Sequence, residues 1–251
     1  MYLRQLFETT QSTTSDEDLL ATANGFFKKN FDDVDISHIE DQTVVISNDL
    51  VDQPRARFNR LPFPTKFKSP DSGMCSLGSI DLTSTKNLPP EGHTLWIEGA
   101  DKLSRLEGLN EYNTIQLIDC GIDSLENFPI VQTLKLNDLK NLKSFEGLNV
   151  SSASSIKISV KKCENIGSFD GIPLLKQQGE VSVTFSDHEY PRLPWLRPIL
   201  FKDLKEYNAI NVNFPSSLNP ILDKYAGRGM SKAVELAIAL KTNGFGQHSK
   251  F

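Results

Sequence analysis

A chain of 251 residues with 38% hydrophobic and 24% charged side chains has enough apolar material for a sizeable core, which excludes a disordered polymer. Its net charge of −5 excludes wholesale nucleic-acid binding and leaves open only a local basic patch. Cys75, Cys120 and Cys163 are too few for a disulfide framework, and no apolar run is long enough to predict a membrane-spanning helix.

The chain opens with "MYLRQLFE", in which Tyr2, Leu3, Leu6 and Phe7 share one face of a short helix. A polar stretch, "TTQSTTSDED", follows as a linker, so residues 1–14 read as a flexible leader. These first residues resemble short leaders on some proteins encoded by tailed phages. That resemblance implies a virion-associated structural protein docked through its leader. Otherwise the stretch is a frayed terminus. No secretory signal is recognisable, and the expected setting is intracellular (cytoplasmic), with the virion as the alternative.

Residues 15–77 read as a capping region. Ser15 and Asp18 form a capping-box pattern, and Leu19, Leu20, Ala23, Phe26 and Phe27 follow at helical spacing up to Asn30. "TVVIS" (Thr43 to Ser47) is a β-branched strand. From Arg55 to Lys68, "RARFNRLPFPTKFK" reads as an extended loop with Arg55, Arg57, Arg60, Lys66 and Lys68 between Phe58, Phe63 and Phe67. Basic and aromatic side chains in alternation suit phosphate pairing and base stacking. The competing reading pins the aromatics on the core and leaves the charges in solvent.

Residues 78–215 contain an internal repeat. Its copies include "TLWIEGADKLSRLEGL", "TIQLIDCGIDSLENF", "TLKLNDLKNLKSFEGL" and "IKISVKKCENIGSFDGI". Apolar pairs at i and i+2 put both side chains on one face of a strand: Ile80 and Leu82, Leu95 and Ile97, Ile115 and Leu117, Leu134 and Leu136, Ile158 and Val160. Counted from Ile80, the steps are 15, 20, 19 and 24 residues. A further apolar residue follows eight positions after the first of each pair, with Ile122 one residue early. "SVTFS" (Ser182 to Ser186) and "AINVNF" (Ala209 to Phe214) predict two more strands, separated by a proline-rich loop around Trp195.

This frame resembles bacterial-type leucine-rich repeats. The resemblance implies an α/β solenoid with a mostly parallel sheet. It also implies a turn slot five residues after the first apolar position, filled here by Thr85, Ala100, Cys120, Leu139 and Cys163. The asparagine usual in that slot is missing, so its hydrogen-bonded ladder is not expected, and the solenoid should be looser and irregular. Solenoid ends need covers, because a terminal apolar layer would otherwise face water. Residues 216–251 read as a C-terminal helical cap and tail, with Ser231 capping a helix that carries Ala233, Val234, Ala237, Ile238 and Leu240 and stops at Asn243 and Gly244.

The strand residues between the apolar pairs point outward, onto the face the resemblance makes concave. Trp96, Glu98, Gln116, Ile118, Lys135, Asn137, Ser159 and Lys161 are the candidate protein-binding residues there. A large aromatic on a polar face is a typical binding anchor; alternatively Trp96 packs under the N-terminal cap. No catalytic, cofactor or metal site is predicted. Cys120 and Cys163 read as small buried turn residues, and Cys75 reads as a loop residue without a base. His38, His93, His188 and His248 lack zinc spacing, and "DHE" at Asp187 to Glu189 reads as a surface loop. The expected function is non-enzymatic: a protein-binding or structural scaffold whose partner is another protein. Nucleic acid is the less favoured partner, and the sequence carries no sign of oligomeric state.

Overall fold

The computed structural model describes residues 15–31, 34, 36–47, 60–67, 74–78, 81–148, 156–163, 165–166, 171, 181–186, 200, 210–213 and 216–249. The leader, Arg55, Arg57, Phe58, Lys68, Asp187 to Glu189 and Trp195 lie outside these residues. Among the described residues no helix is long and apolar enough to cross a membrane.

Helix α1 (Asp16–Asn30) starts as expected. The Ser15 hydroxyl donates to the Asp18 carboxylate at 2.8 Å and accepts the Asp18 backbone N–H at 3.2 Å, so one side chain answers an orphan donor of the first turn. Leu19, Ala23 and Phe27 form its buried stripe. Strands β1 (Ile36–Glu40) and β2 (Thr43–Ile46) pair antiparallel. They turn through Asp41 and Gln42, both left-handed at φ 48° and 58°, the backbone that matches strand twist in a two-residue hairpin.

The expected extended loop is in part a strand. β3 (Thr65–Phe67) adds parallel to β2, immediately after Pro62 and Pro64, which cannot donate to a ladder themselves. Leu61, Phe63, Thr65 and Phe67 are buried, while Arg60 and Lys66 are exposed. Phe26 meets Phe63 edge-on, with centroids 5.7 Å apart.

The second sheet has seven strands in sequence order, every pair parallel. They are β4 (Met74–Gly78), β5 (Glu91–Glu98), β6 (Glu111–Ile118), β7 (Ile130–Asn137), β8 (Ile156–Lys161), β9 (Val181–Ser186) and β10 (Ile210–Asn213). This is the α/β solenoid with a mostly parallel sheet that the repeats predict.

Its frame begins earlier than expected. Cys75 and Leu77, not Ile80 and Leu82, stand beside Leu95 and Ile97. Neighbouring first positions are therefore Cys75, Leu95, Ile115, Leu134, Ile158, Val183 and Ile210. Cys75 is thus a buried strand residue and not a loop residue. The sequence misleads here because a cysteine holds a position that is Leu or Ile in the next three coils. In the corrected frame Leu82 aligns with Leu103 and Ile122, and Thr85 takes the place of Leu106, Leu125 and Phe145. Thr85 is fully buried because its hydroxyl donates to the Glu107 carbonyl at 2.8 Å and accepts the Glu107 N–H at 2.7 Å.

The four coils that follow β5, β6, β7 and β8 each turn at two left-handed positions. Gly99, Asp119, Asp138 and Lys162 (φ 70°, 49°, 56° and 52°) take the chain off the strand. Gly108, Asn127, Gly147 and Gly171 (φ 73°, 55°, 84° and 95°) begin the return. The early Ile122 has its cause at Gly121: one residue fewer in this turn brings the backbone so near Asp101 that a Cβ would lie 2.0 Å from the Asp101 carbonyl oxygen.

The inter-coil amide bonds are displaced rather than lost. Asn141 donates to the Gly121 carbonyl at 3.3 Å, and Asn165 donates to that of Lys140. In the turn slot itself the Cys120 thiol reaches the Ile97 carbonyl of the preceding coil at 3.5 Å. A weak thiol donor plus asparagines a few residues downstream does the linking that one asparagine would do.

One continuous core runs from Leu19 and Phe27 through the coils to Val183. The small sheet is tied to the first coil through Asn87, which accepts the Thr65 N–H at 3.1 Å and donates its side chain to the Leu61 carbonyl at 2.6 Å. The C-terminal helices α2 (Asn219–Tyr225) and α3 (Ala233–Thr242) bury Leu200, Leu218, Leu222, Tyr225, Leu236 and Leu240 in a cluster of their own. α3 stops where expected: Gly244 is left-handed at φ 85°, and the Phe245 N–H bonds the Leu240 carbonyl at 2.8 Å. One expectation fails there. Ser231 lies inside a 3-10 turn, so α3 has no side-chain cap. Of the apolar residues of α3, Ala233, Leu236, Ala237 and Leu240 are buried, while Val234 and Ile238 are 60% exposed.

Candidate binding face

Parallel pairing puts residues of equal register side by side at about 4.8 Å per strand. The position between the inward pair is Ser76 on β4, Trp96 on β5, Gln116 on β6, Lys135 on β7, Ser159 on β8 and Thr184 on β9. Two residues on runs a second row: Gly78, Glu98, Ile118, Asn137 and Lys161. Two residues before runs a third: Met74, Thr94, Thr114, Thr133, Lys157 and Ser182. The eight residues singled out from sequence therefore stand together in the first two rows, opposite in sense to the buried pairs. Ser76 escaped the sequence reading because the first coil was placed too late. The Cys75–Leu77 pair, 20 residues before Leu95–Ile97, is the signal that finds it.

The rows divide by chemistry. On β5 and β6, Trp96, Gln116 and Ile118 are half-buried, and Trp96 and Ile118 are diagonal neighbours that make an apolar patch. Ser76, beside Trp96, is 1% exposed. Its hydroxyl oxygen and the Trp96 indole nitrogen are both buried without a hydrogen-bond partner, as is the Asn137 side-chain oxygen. Such groups each cost roughly 1–3 kcal/mol when left unpaired. On β7 and β8, Lys135, Lys157 and Lys161 are exposed. Thr94, Thr114 and Thr133 form a half-buried hydroxyl row along β5 to β7, two residues before Trp96, Gln116 and Lys135.

The basic loop looks different. Lys66 lies 3.6 Å from Glu40, in a shallow cleft that also holds Asp41 and Glu91. Three carboxylates in this cleft make it unwelcoming to phosphate. Arg60 is exposed, and Arg55, Arg57 and Lys68 lie outside the described residues.

The thiols are placed for packing. Burial pushes Cys120 up to about 11 and Cys163 up to about 12, the opposite of what a nucleophilic thiolate requires. Burial likewise pushes the Tyr112 phenol far above its ordinary range, and its hydroxyl donates to the Pro89 carbonyl. Among the described residues no three His, Cys, Asp or Glu side chains converge to hold a metal ion.

Comparison with known protein families, with characterised proteins and with solved structures finds no match.

Proposed function

We propose that this chain is a non-enzymatic binding module that offers the outward face of its parallel sheet to another protein. The observation that carries the reading is the shared register of Trp96, Gln116 and Lys135, with Glu98, Ile118 and Asn137 in the adjacent row. A fixed register on a sheet whose other side is solid core gives a flat and rigid presentation, which keeps the ordering cost of binding low. An aromatic and a branched aliphatic residue, half-buried among polar neighbours, suit the centre of such a contact.

The test is affinity capture from the native source, comparing the parent chain with Trp96→Ala/Lys135→Glu. Lys143→Glu, on an exposed return segment, is the control. Captured partners should fall away in the double variant and persist in the control, with both variants keeping the parent circular dichroism spectrum. Undiminished capture by the folded double variant overturns the reading.

A further inference from the structure

The outward face has the opposite sign to the whole chain. Across its three rows from β4 to β8 stand Lys135, Lys157 and Lys161 against a single carboxylate, Glu98, on a chain of net charge −5. Elsewhere on the coils, two lysines are ion-paired: Lys102 reaches Asp81 at 2.7 Å, and Lys140 reaches Asp119 at 3.4 Å. Lys135 and Lys157 have no such carboxylate among the described residues. The turn acids Asp119 and Asp138 that stand nearest the ends of these strands are engaged by Lys140.

We infer that the face takes an acidic, extended protein segment: one apolar side chain on Trp96 and Ile118, and carboxylates on Lys135 and Lys157. This deepens the proposed function and rests on it. The spacing follows from the sheet. β7 lies two strands from β5, and β8 lies three strands away, which is about 10 and 14 Å at 4.8 Å per strand. A segment crossing the strands advances about 3.3 Å per residue, so its carboxylates stand about three to five residues from its apolar anchor. Glu98, beside Ile118 on the far side of the anchor, disfavours an acid there and favours a neutral or basic residue. The motif is therefore lopsided in charge.

A nucleic acid is the less fitting polyanion. Tight phosphate binding draws on many contacts, commonly about six to ten, and this face offers three lysines, one carboxylate and one aromatic ring. A hydroxyl row of Thr94, Thr114 and Thr133 beside the lysines suits carboxylate and amide groups equally well.

The experiment is fluorescence anisotropy with four labelled probes. The first is a short peptide with one Phe and two Asp residues at the derived spacing. The second has the same composition with the acids moved to the far end. The third has Lys in place of Asp, and the fourth is a single-stranded oligonucleotide of matching length. The full chain, Lys135→Glu/Lys157→Glu and Trp96→Ala are each titrated. The first peptide should bind best, lose at least about tenfold in affinity on charge reversal, and weaken from low to physiological salt. Trp96→Ala should weaken it at unchanged salt dependence. Lys135→Gln/Lys157→Gln, which removes charge without adding acid, should give an intermediate loss. The inference is overturned if the lysine peptide or the oligonucleotide binds as well as the first peptide. It is also overturned if charge reversal changes nothing, or if no peptide binds. If native partners are still captured in a Trp96-dependent way, the sheet-face reading survives and only the acidic partner falls.

Discussion

Replacing Leu136 by Ala sets the assignment of the two sheet faces against a measurable stability change. Leu136 is 1% exposed on β7, laterally between Leu117 on β6 and Val160 on β8. Packed strands on both sides leave little freedom to collapse into the space. The loss therefore belongs toward the upper part of the range of about 2–5 kcal/mol for buried Leu→Ala changes. Its neighbour Lys135 is exposed on the opposite face, and Lys135→Ala removes no buried atom, so it should stay within about 0.5 kcal/mol. For a chain of this size each kcal/mol corresponds to about 2–4 °C, so Leu136→Ala should melt about 7–20 °C below the parent. Thermal and urea unfolding followed by circular dichroism read both variants. Equal losses, or a larger loss for Lys135→Ala, would mean that the inward and outward sets are exchanged, and the binding face with them.

Other outcomes follow from single contacts. Gly147→Ala should destabilise by more than about 1 kcal/mol, because its φ is 84° and the added Cβ would sit 2.7 Å from the Glu126 backbone nitrogen. By contrast, Gly25→Ala, in helix α1 with open space around it, should stabilise by about 0.5–1 kcal/mol; urea midpoints compare the two. Thr85→Val keeps the shape but strips both hydrogen bonds from the Glu107 backbone, and should cost about 1–3 kcal/mol by the same measurement. Cys120 and Cys163 hold their protons above the ordinary thiol value of 9.0. The unfolded chain therefore binds fewer protons as pH rises, and stability present below pH 9 is lost between pH 9 and about 12. Urea midpoints at pH 8 and 10.5 should fall more steeply for the parent than for Cys120→Ala/Cys163→Ala, and parallel slopes would refute the assignment.

Two signals were readable because they are periodic. Alternation in the strands and the spacing between coils mark an inward set that repeats from Leu95 to Ile166, and the capping box marks the start of α1. Three features were not, each for a physical reason. The first coil escaped because Cys75 fills a place that Leu or Ile fills next door, and because a buried Thr85 is acceptable only once Glu107 from the following coil is in position. β3 escaped because its pattern of basic and aromatic residues also describes a loop, and only pairing with β2 distinguishes them. The inward side of α3 was not legible because the sequence shows which residues are apolar and not which way the helix rolls. Val234 and Ile238 share a stripe with Met230, and all three face outward. The candidate face was legible in its residues but not in its rows. Register places Lys135 beside Gln116 and Ser159, and register depends on where every coil begins.

A chain of net charge −5 would be expected to repel an acidic partner, so the face can attract one only if local charge outweighs the total. The geometry allows it. Lys157 and Lys161 stand one strand from Lys135 and two residues to either side of its register partner Ser159, which puts both within about 8 Å of it along the sheet. That is one screening length at physiological salt, about 8 Å, so the three cations act together on anything at the face. The acids on the return segments, such as Glu126 and Glu146, are exposed on the other side of the buried core and are screened by solvent. The inward residues carry the fold and tolerate little change, while Lys135, Lys157 and Lys161 are exposed and bury little that the fold depends on. Their charge can therefore be set by recognition alone, and a run of lysines on an otherwise acidic solenoid is a preference that packing does not demand.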